Sequence, residues 1–164
     1  MEQLDTLSSQ ISFATDGSQF LTFRLRDEEY GVEILKVQEI KGYSAITPVP
    51  NTPAYVKGVM NLRGTIVPVV DLRAKFAMEA AEYTAFTVII VLTVGTKVMG
   101  LIVDAVSDVL NIPKTDIQAT PDFGAQVDAR FISGMAKAGE KLVVLLDIDR
   151  VLGDADLDLA ARVN

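Results

Sequence analysis

One pattern appears twice along this chain, and that duplication constrains the fold more than any single motif. Shifting the sequence by 69 residues lays Phe20–Leu25 on Ile89–Val94 and the strand around Gly31 on the strand around Gly100. The same shift sets Ile34 on Val103, Val37 on Val106, Glu39 on Asp108 and Ile40 on Val109. Farther along, a shift of 76 sets Gly58 on Gly134, Ile66 on Leu142, Val67 on Val143 and Asp71 on Asp147. The seven extra residues of the second copy fall in the loop around Asn111 to Val127. Identity is low, but apolar character, two glycines and an aspartate recur in order, as in an internal repeat.

Within each copy the short-range pattern is that of strands. Phe20 to Arg26 alternates, with Leu21, Phe23 and Leu25 opposed to Thr22, Arg24 and Arg26, the period of a half-buried strand. A polar turn at Asp27-Glu28-Glu29 leads to a second strand at Tyr30-Gly31-Val32, and Ile34 to Ile40 suits a helical turn running into a strand. Pro48, Pro50 and Pro53 exclude helix from the next connection. Tyr55–Asn61 and Thr65–Val70 read as a hairpin across Asn61-Leu62-Arg63-Gly64, with Pro68 pointing to an edge strand or a bulge. Further strands are expected at 87–94, 97–103, 106–112, 129–136 and 141–146. Helix is expected only at Asp71–Phe76 and from Asp147 onward. Many short strands with little helix predict an all-β barrel or sandwich. With the repeat, the expectation is two small, intertwined β-barrels of like topology, roughly 19–83 and 84–152, each closed by a short helix. A flexible leader at 1–18 and a C-terminal helix at 153–164 complete the reading.

Composition limits the chemistry. The 164 residues include no cysteine, histidine or tryptophan. That excludes a disulfide framework, a thiolate nucleophile, Cys- or His-ligated metal and a Ser-His-Asp triad. Catalysis would fall to carboxylates, lysine or tyrosine, and neither a G-x-G-x-x-G nor a P-loop motif occurs. The expectation is therefore no enzyme, no cofactor and no metal. A net charge of −7 has the wrong sign for nucleic acid, and a net four of those charges lie between Asp147 and Asp158. The run Asp154-Ala155-Asp156-Leu157-Asp158 opens like a calcium loop but lacks the glycine and glutamate that such a loop needs. An acidic N-terminus and an apolar run no longer than Val88–Leu92 predict a soluble, intracellular protein with no membrane insertion.

Two short segments stand out as recognition candidates. In Asn61-Leu62-Arg63-Gly64 the asparagine and glycine suit left-handed turn conformations, whereas a hairpin tip has no need of Arg63. Its guanidinium can grip a carboxylate at two points, or it can be a surface arginine that aids solubility. In Val37-Gln38-Glu39-Ile40, apolar flanks hold Glu39 beside the core, and Glu39 and Arg63 are expected to pair.

Several blocks together resemble a known family. They are Phe20-Leu21-Thr22-Phe23, Asp27 to Gly31, Ile34 to Ile40, Gly58 to Gly64, Ile66 to Arg73 and Gly100 to Leu110. In this order, over about residues 19 to 152, they are similar to the CheW family of bacterial chemotaxis coupling proteins. The resemblance implies two five-stranded barrels resembling Src-homology-3 domains around a shared apolar core. It also implies a non-enzymatic, cytoplasmic adaptor that joins methyl-accepting receptors to the regulatory domain of the histidine kinase CheA in membrane-associated arrays. A receptor groove between the barrels would draw on Val37, Glu39, Gly58, Arg63, Gly100, Val106 and Val109. Kinase contact would fall mainly on the second barrel, at residues the resemblance leaves unresolved, with another kinase regulatory domain on the first. A CheW-like module of a CheV-type protein or of the kinase itself is the alternative. For the three valines ordinary core packing stays open, as does a bulge or turn for the two glycines.

Overall fold

The computed structural model describes residues 19–119 and 128–153; the expected leader at 1–18 and nearly all of the expected helix at 153–164 lie outside them. Ten strands follow one another: β1 (Gln19–Leu25), β2 (Glu28–Glu33), β3 (Val37–Gly42), β4 (Val56–Leu62), β5 (Thr65–Asp71), β6 (Val88–Val94), β7 (Lys97–Val103), β8 (Ala105–Asn111), β9 (Ile132–Ala138) and β10 (Lys141–Leu146). A four-residue helix follows β5 (α1, Leu72–Lys75) and another follows β10 (α2, Ile148–Val151). The chain is thus mainly β, with two five-stranded sheets.

The sheets do not follow the bounds 19–83 and 84–152, because the intertwining extends to individual strands. One sheet runs β8-β1-β2-β10-β9 and the other β3-β6-β7-β5-β4. Each is built from the first two strands of one repeat and the last three of the other. The exchange is reciprocal and keeps its register. Phe20 opposite Glu33 in β1–β2 recurs as Ile89 opposite Ile102 in β6–β7. The parallel contact of Leu145 with Gly31 recurs as Val69 with Gly100. Even a bulge recurs: Thr22–Asp108 and Phe23–Val106 flank one in β1–β8, and Val91–Glu39 and Leu92–Val37 flank its twin in β6–β3. The repeat is real, but its copies are intertwined.

Alternation of side chains sorts each strand between two interiors. On β6, Val88, Ile90, Leu92 and Val94 enter a large cluster between the sheets, joined by Leu21, Phe23 and Leu25 of β1 and by Met99, Leu101 and Val103 of β7. Ile89 and Val91 turn the other way, to meet Met60, Leu62, Val67 and Val69 inside the curl of their own sheet. Phe20, Ala136, Val143 and Leu145 do the same in the other sheet. Two barrel-like sheets around a shared core follow directly.

Three local expectations need correction. Pro68 lies on an interior strand, since β5 has β4 on one side and β7 on the other. The ladder to β7 begins only at Val69, so the missing N–H of Pro68 costs it no bond. Residues 129–131 form a 3-10 turn before β9 and not its first residues. The helix expected at Asp71–Phe76 shrinks to Leu72–Lys75, because Asp71 is its N-cap, accepting from the N–H of Arg73 and Ala74. Asp147 caps α2 in the same way, through the N–H of Arg150.

Candidate functional site

β3 and β8 are edge strands, one from each sheet, and they are related by the repeat. Their valines at 37 and 106 are both buried in the shared core, and Val109 packs against that core while half-exposed. Ordinary core packing therefore accounts for Val37 and Val106, and of the three valines only Val109 offers surface. Leu35, in the 3-10 turn just before β3, is 64% exposed. Nothing in the alternation marked it, since Ile34 beside it takes the inward direction.

The β3 bulge leaves Gln38 out of the backbone register with β6, though its Nε2 donates to Thr93 Oγ1 there at 2.8 Å, and sets Glu39 opposite Val91. Bulges re-aim side chains, and here Glu39 comes within reach of the β4–β5 turn. That turn has two residues, Arg63 and Gly64, at φ 51° and 88°, the geometry of a type I′ hairpin. The Oδ1 of Asn61 accepts from the N–H of Gly64 at 2.7 Å and closes the loop. Arg63 Nη2 donates to Glu39 Oε2 at 2.5 Å, so the expected pair is formed. The hydrogen bond from Arg63 holds the Glu39 carboxyl below the usual carboxylate range against the opposing effect of burial, with the charges of Arg63 and Lys41 adding to it. The guanidinium remains 70% exposed and open to a second carboxylate. A left-handed turn position favours asparagine or glycine, so the backbone does not explain an arginine here; the side chain does.

Gly58 and Gly100 are placed differently from expectation. Both are buried. A Cβ on Gly58, at φ 145°, would stand 2.1 Å from the carbonyl oxygen of Thr47, and one on Gly100 would stand 2.9 Å from Ile89 Cγ2. The space left by each missing side chain is filled by the chain itself, so these glycines shape the region from within and offer no backbone to a partner.

A second polar cluster escaped the sequence reading because its members are far apart in the chain. Asp104, between β7 and β8, takes a two-point contact from Arg73, Nε to Oδ1 at 2.8 Å and Nη2 to Oδ2 at 2.5 Å. The N–H of Arg26 donates to the same carboxylate at 2.9 Å. Burial alone would raise the Asp104 pKa, but the bonds from Arg73 and Arg26 and the charges of Arg73 and Arg24 outweigh it and hold it low. Tyr83 donates to Asp71 Oδ2 at 2.7 Å, and burial together with that bond pushes its phenol pKa up. A cavity of about 500 Å³ opens among Arg24, Arg26, Arg73, Tyr83, Phe86 and Asp104; none of the seven candidate residues lines it.

Comparison with known proteins agrees with this architecture. The family model described as a CheW-like domain matches residues 19–156. The chain is 44% identical to the chemotaxis protein CheW of Klebsiella aerogenes over 155 residues, covering 94% of this chain and 93% of that protein. It is 42% identical to the chemotaxis protein CheW of Rhizobium meliloti over 144 residues, covering 88% and 93%. The crystal structure of the scaffolding protein TtCheW from Thermoanaerobacter tengcongensis superposes with a TM-score of 0.78 at 30% identity, covering 88% of this chain and 93% of that one. Intertwined five-stranded sheets, a family match over most of the length and relatives at this identity have one reading: the chain belongs to the CheW family of chemotaxis scaffolding proteins.

Proposed function

We propose that this chain is a non-enzymatic adaptor that couples methyl-accepting chemotaxis receptors to the histidine kinase CheA. The receptor tip, a helical hairpin, lies between β3 and β8, and the kinase regulatory domain binds mainly the sheet that holds β9 and β10. The observation that carries this reading is the arginine at a turn position whose backbone does not call for one, paired with Glu39 yet 70% exposed. Together with half-buried Val109 and exposed Leu35, it offers an apolar edge with a charged rim, the combination that accepts an amphipathic helix. Leu142, 53% exposed on β10, is the corresponding anchor on the proposed kinase face. No helix among the described residues is long and apolar enough to cross a membrane; a cytoplasmic protein recruited to receptor arrays accords with that.

The test is a pull-down of a receptor signalling fragment and of CheA with wild type, Arg63→Ala and Val109→Asp. Both variants are expected to lose receptor binding and keep the kinase. Full receptor binding by both would overturn the groove assignment.

A further inference from the structure

The reciprocal exchange makes the molecule its own control, because each feature of one sheet has a counterpart in the other at matching register. Under the repeat, Glu39 corresponds to Asp108, and the two stand at equivalent points past equivalent bulges. Arg63 corresponds to Gly139, and each opens the two-residue turn of its hairpin at a left-handed φ, 51° and 65°. The strand registers match between the halves, but the turns do not, since Arg63 and Gly64 both have positive φ whereas in the β9–β10 turn only Gly139 does, and the chemistry differs as well. In one sheet an arginine from the hairpin tip satisfies the edge-strand carboxylate; in the other the tip is glycine, and Asp108 is left exposed. Asp108 Oδ1 accepts from its neighbour's N–H, that of Val109, at 2.7 Å, and the carboxylate makes no ion pair among the described residues. Its strand is held in place, since Thr22 Oγ1 donates to the Asp108 carbonyl at 3.1 Å.

We propose that Asp108 receives an arginine or lysine side chain from the partner seated between β3 and β8, taking in trans the cation that Glu39 receives in cis. The inference rests on the receptor-groove reading: Asp108 lies on the edge strand β8, opposite Thr22, and projects from the other face to Val106 and Val109, whose partners Phe23 and Leu21 turn into the shared core. It assigns a charge pattern to the occupant. The partner helix carries an acidic group toward Arg63 and a basic group toward Asp108, so it can lie in the groove in one direction only. Like charges in the reversed orientation repel, and orientation becomes part of recognition.

The hairpin supplies a direct test. A Cβ on Gly139 meets nothing within 4 Å, but at φ 65° any side chain there is strained, a cost that the control Gly139→Asn shares. Gly139→Arg adds a cation at the hairpin tip that is expected to compete for Asp108. Binding of a soluble receptor signalling fragment is measured by titration for wild type, Asp108→Asn, Gly139→Arg and the control Gly139→Asn, with thermal melts to establish that each is folded. Asp108→Asn and Gly139→Arg are expected to weaken binding about tenfold or more and to reduce its salt dependence, while Gly139→Asn binds as wild type. Exchanging Asp108→Arg against an Arg→Glu change in the fragment restores the affinity. If wild type binds and both variants bind equally well, the Asp108 proposal fails and the groove stands. If wild type does not bind the fragment, the groove reading itself is overturned and this one with it.

Discussion

Arg63, Gly58 and Gly100 share one sequence block or another of the family, yet each is kept for a different physical reason. Arg63 sits at φ 51°, where asparagine is more comfortable. Arg63→Asn should therefore leave Tm unchanged or raise it by about 1–3 °C, while receptor binding falls; thermal melts beside pull-downs read the two effects separately. Gly58→Ala drives a methyl to 2.1 Å from Thr47 O at a strained φ. A loss of about 3 kcal/mol or more is expected in urea unfolding, with the binding defect a consequence of unfolding. Gly100→Ala meets a side-chain methyl, Cγ2 of buried Ile89, at 2.9 Å and not backbone, so the cost should be smaller, about 1–3 kcal/mol. The Glu39–Arg63 pair was legible in the sequence because both charges stood alone beside apolar runs. The roles of the glycines were not, because glycine looks the same in a sequence whether the space it leaves serves its own chain or a visitor.

Short helices cap each repeat, and their aspartates are comparable experiments. Asp71 accepts from two N–H groups of α1 with Oδ1 and from the Tyr83 hydroxyl with Oδ2. Asp147 accepts the N–H of Arg150 from α2 and forms an ion pair with the exposed Arg150 guanidinium, Nε to Oδ2 at 3.5 Å. Asp71→Ala should cost about 2 kcal/mol and Asp147→Ala about 1 kcal/mol, measured as shifts in urea midpoint. The strands themselves were readable wherever one face met an interior and the other a different surface, as on β1 and β6. Readings failed where tertiary context reverses a local rule. Pro68 suggests an edge on its own, yet the ladder to β7 starts one residue later, so an interior strand tolerates it. Ala129–Phe131 looked like the start of β9 but form a 3-10 turn whose N-cap, Asp128, accepts from the N–H of Arg130.

Across the whole molecule, the duplication was visible in sequence and intertwined barrels were expected, but which strands are exchanged between the copies was not. A repeat says that like strands occur twice; it is silent on which copy each one pairs with. Two outcomes follow from that exchange and from the carboxylates. Fragments 1–83 and 84–164 each hold parts of both sheets, so neither should fold alone, while an equimolar mixture regains the β circular dichroism of the intact chain. On acidification, Glu39 and Asp104, both held below their ordinary pKa values, take up protons more readily unfolded than folded. Their contribution is complete above the ordinary carboxylate range and is lost as pH falls through their depressed values. Melts between pH 7 and 3 should show that decline, and Asp104→Asn should flatten it. The exchange also bears on how the chain is made. Between the end of β2 at Glu33 and the start of β10 at Lys141 lie more than a hundred residues that must leave the ribosome before the first sheet can close. At about 5–20 residues per second, the first two strands wait for several seconds with Leu21, Phe23 and Leu25 uncovered, a window in which a nascent-chain chaperone has something to hold.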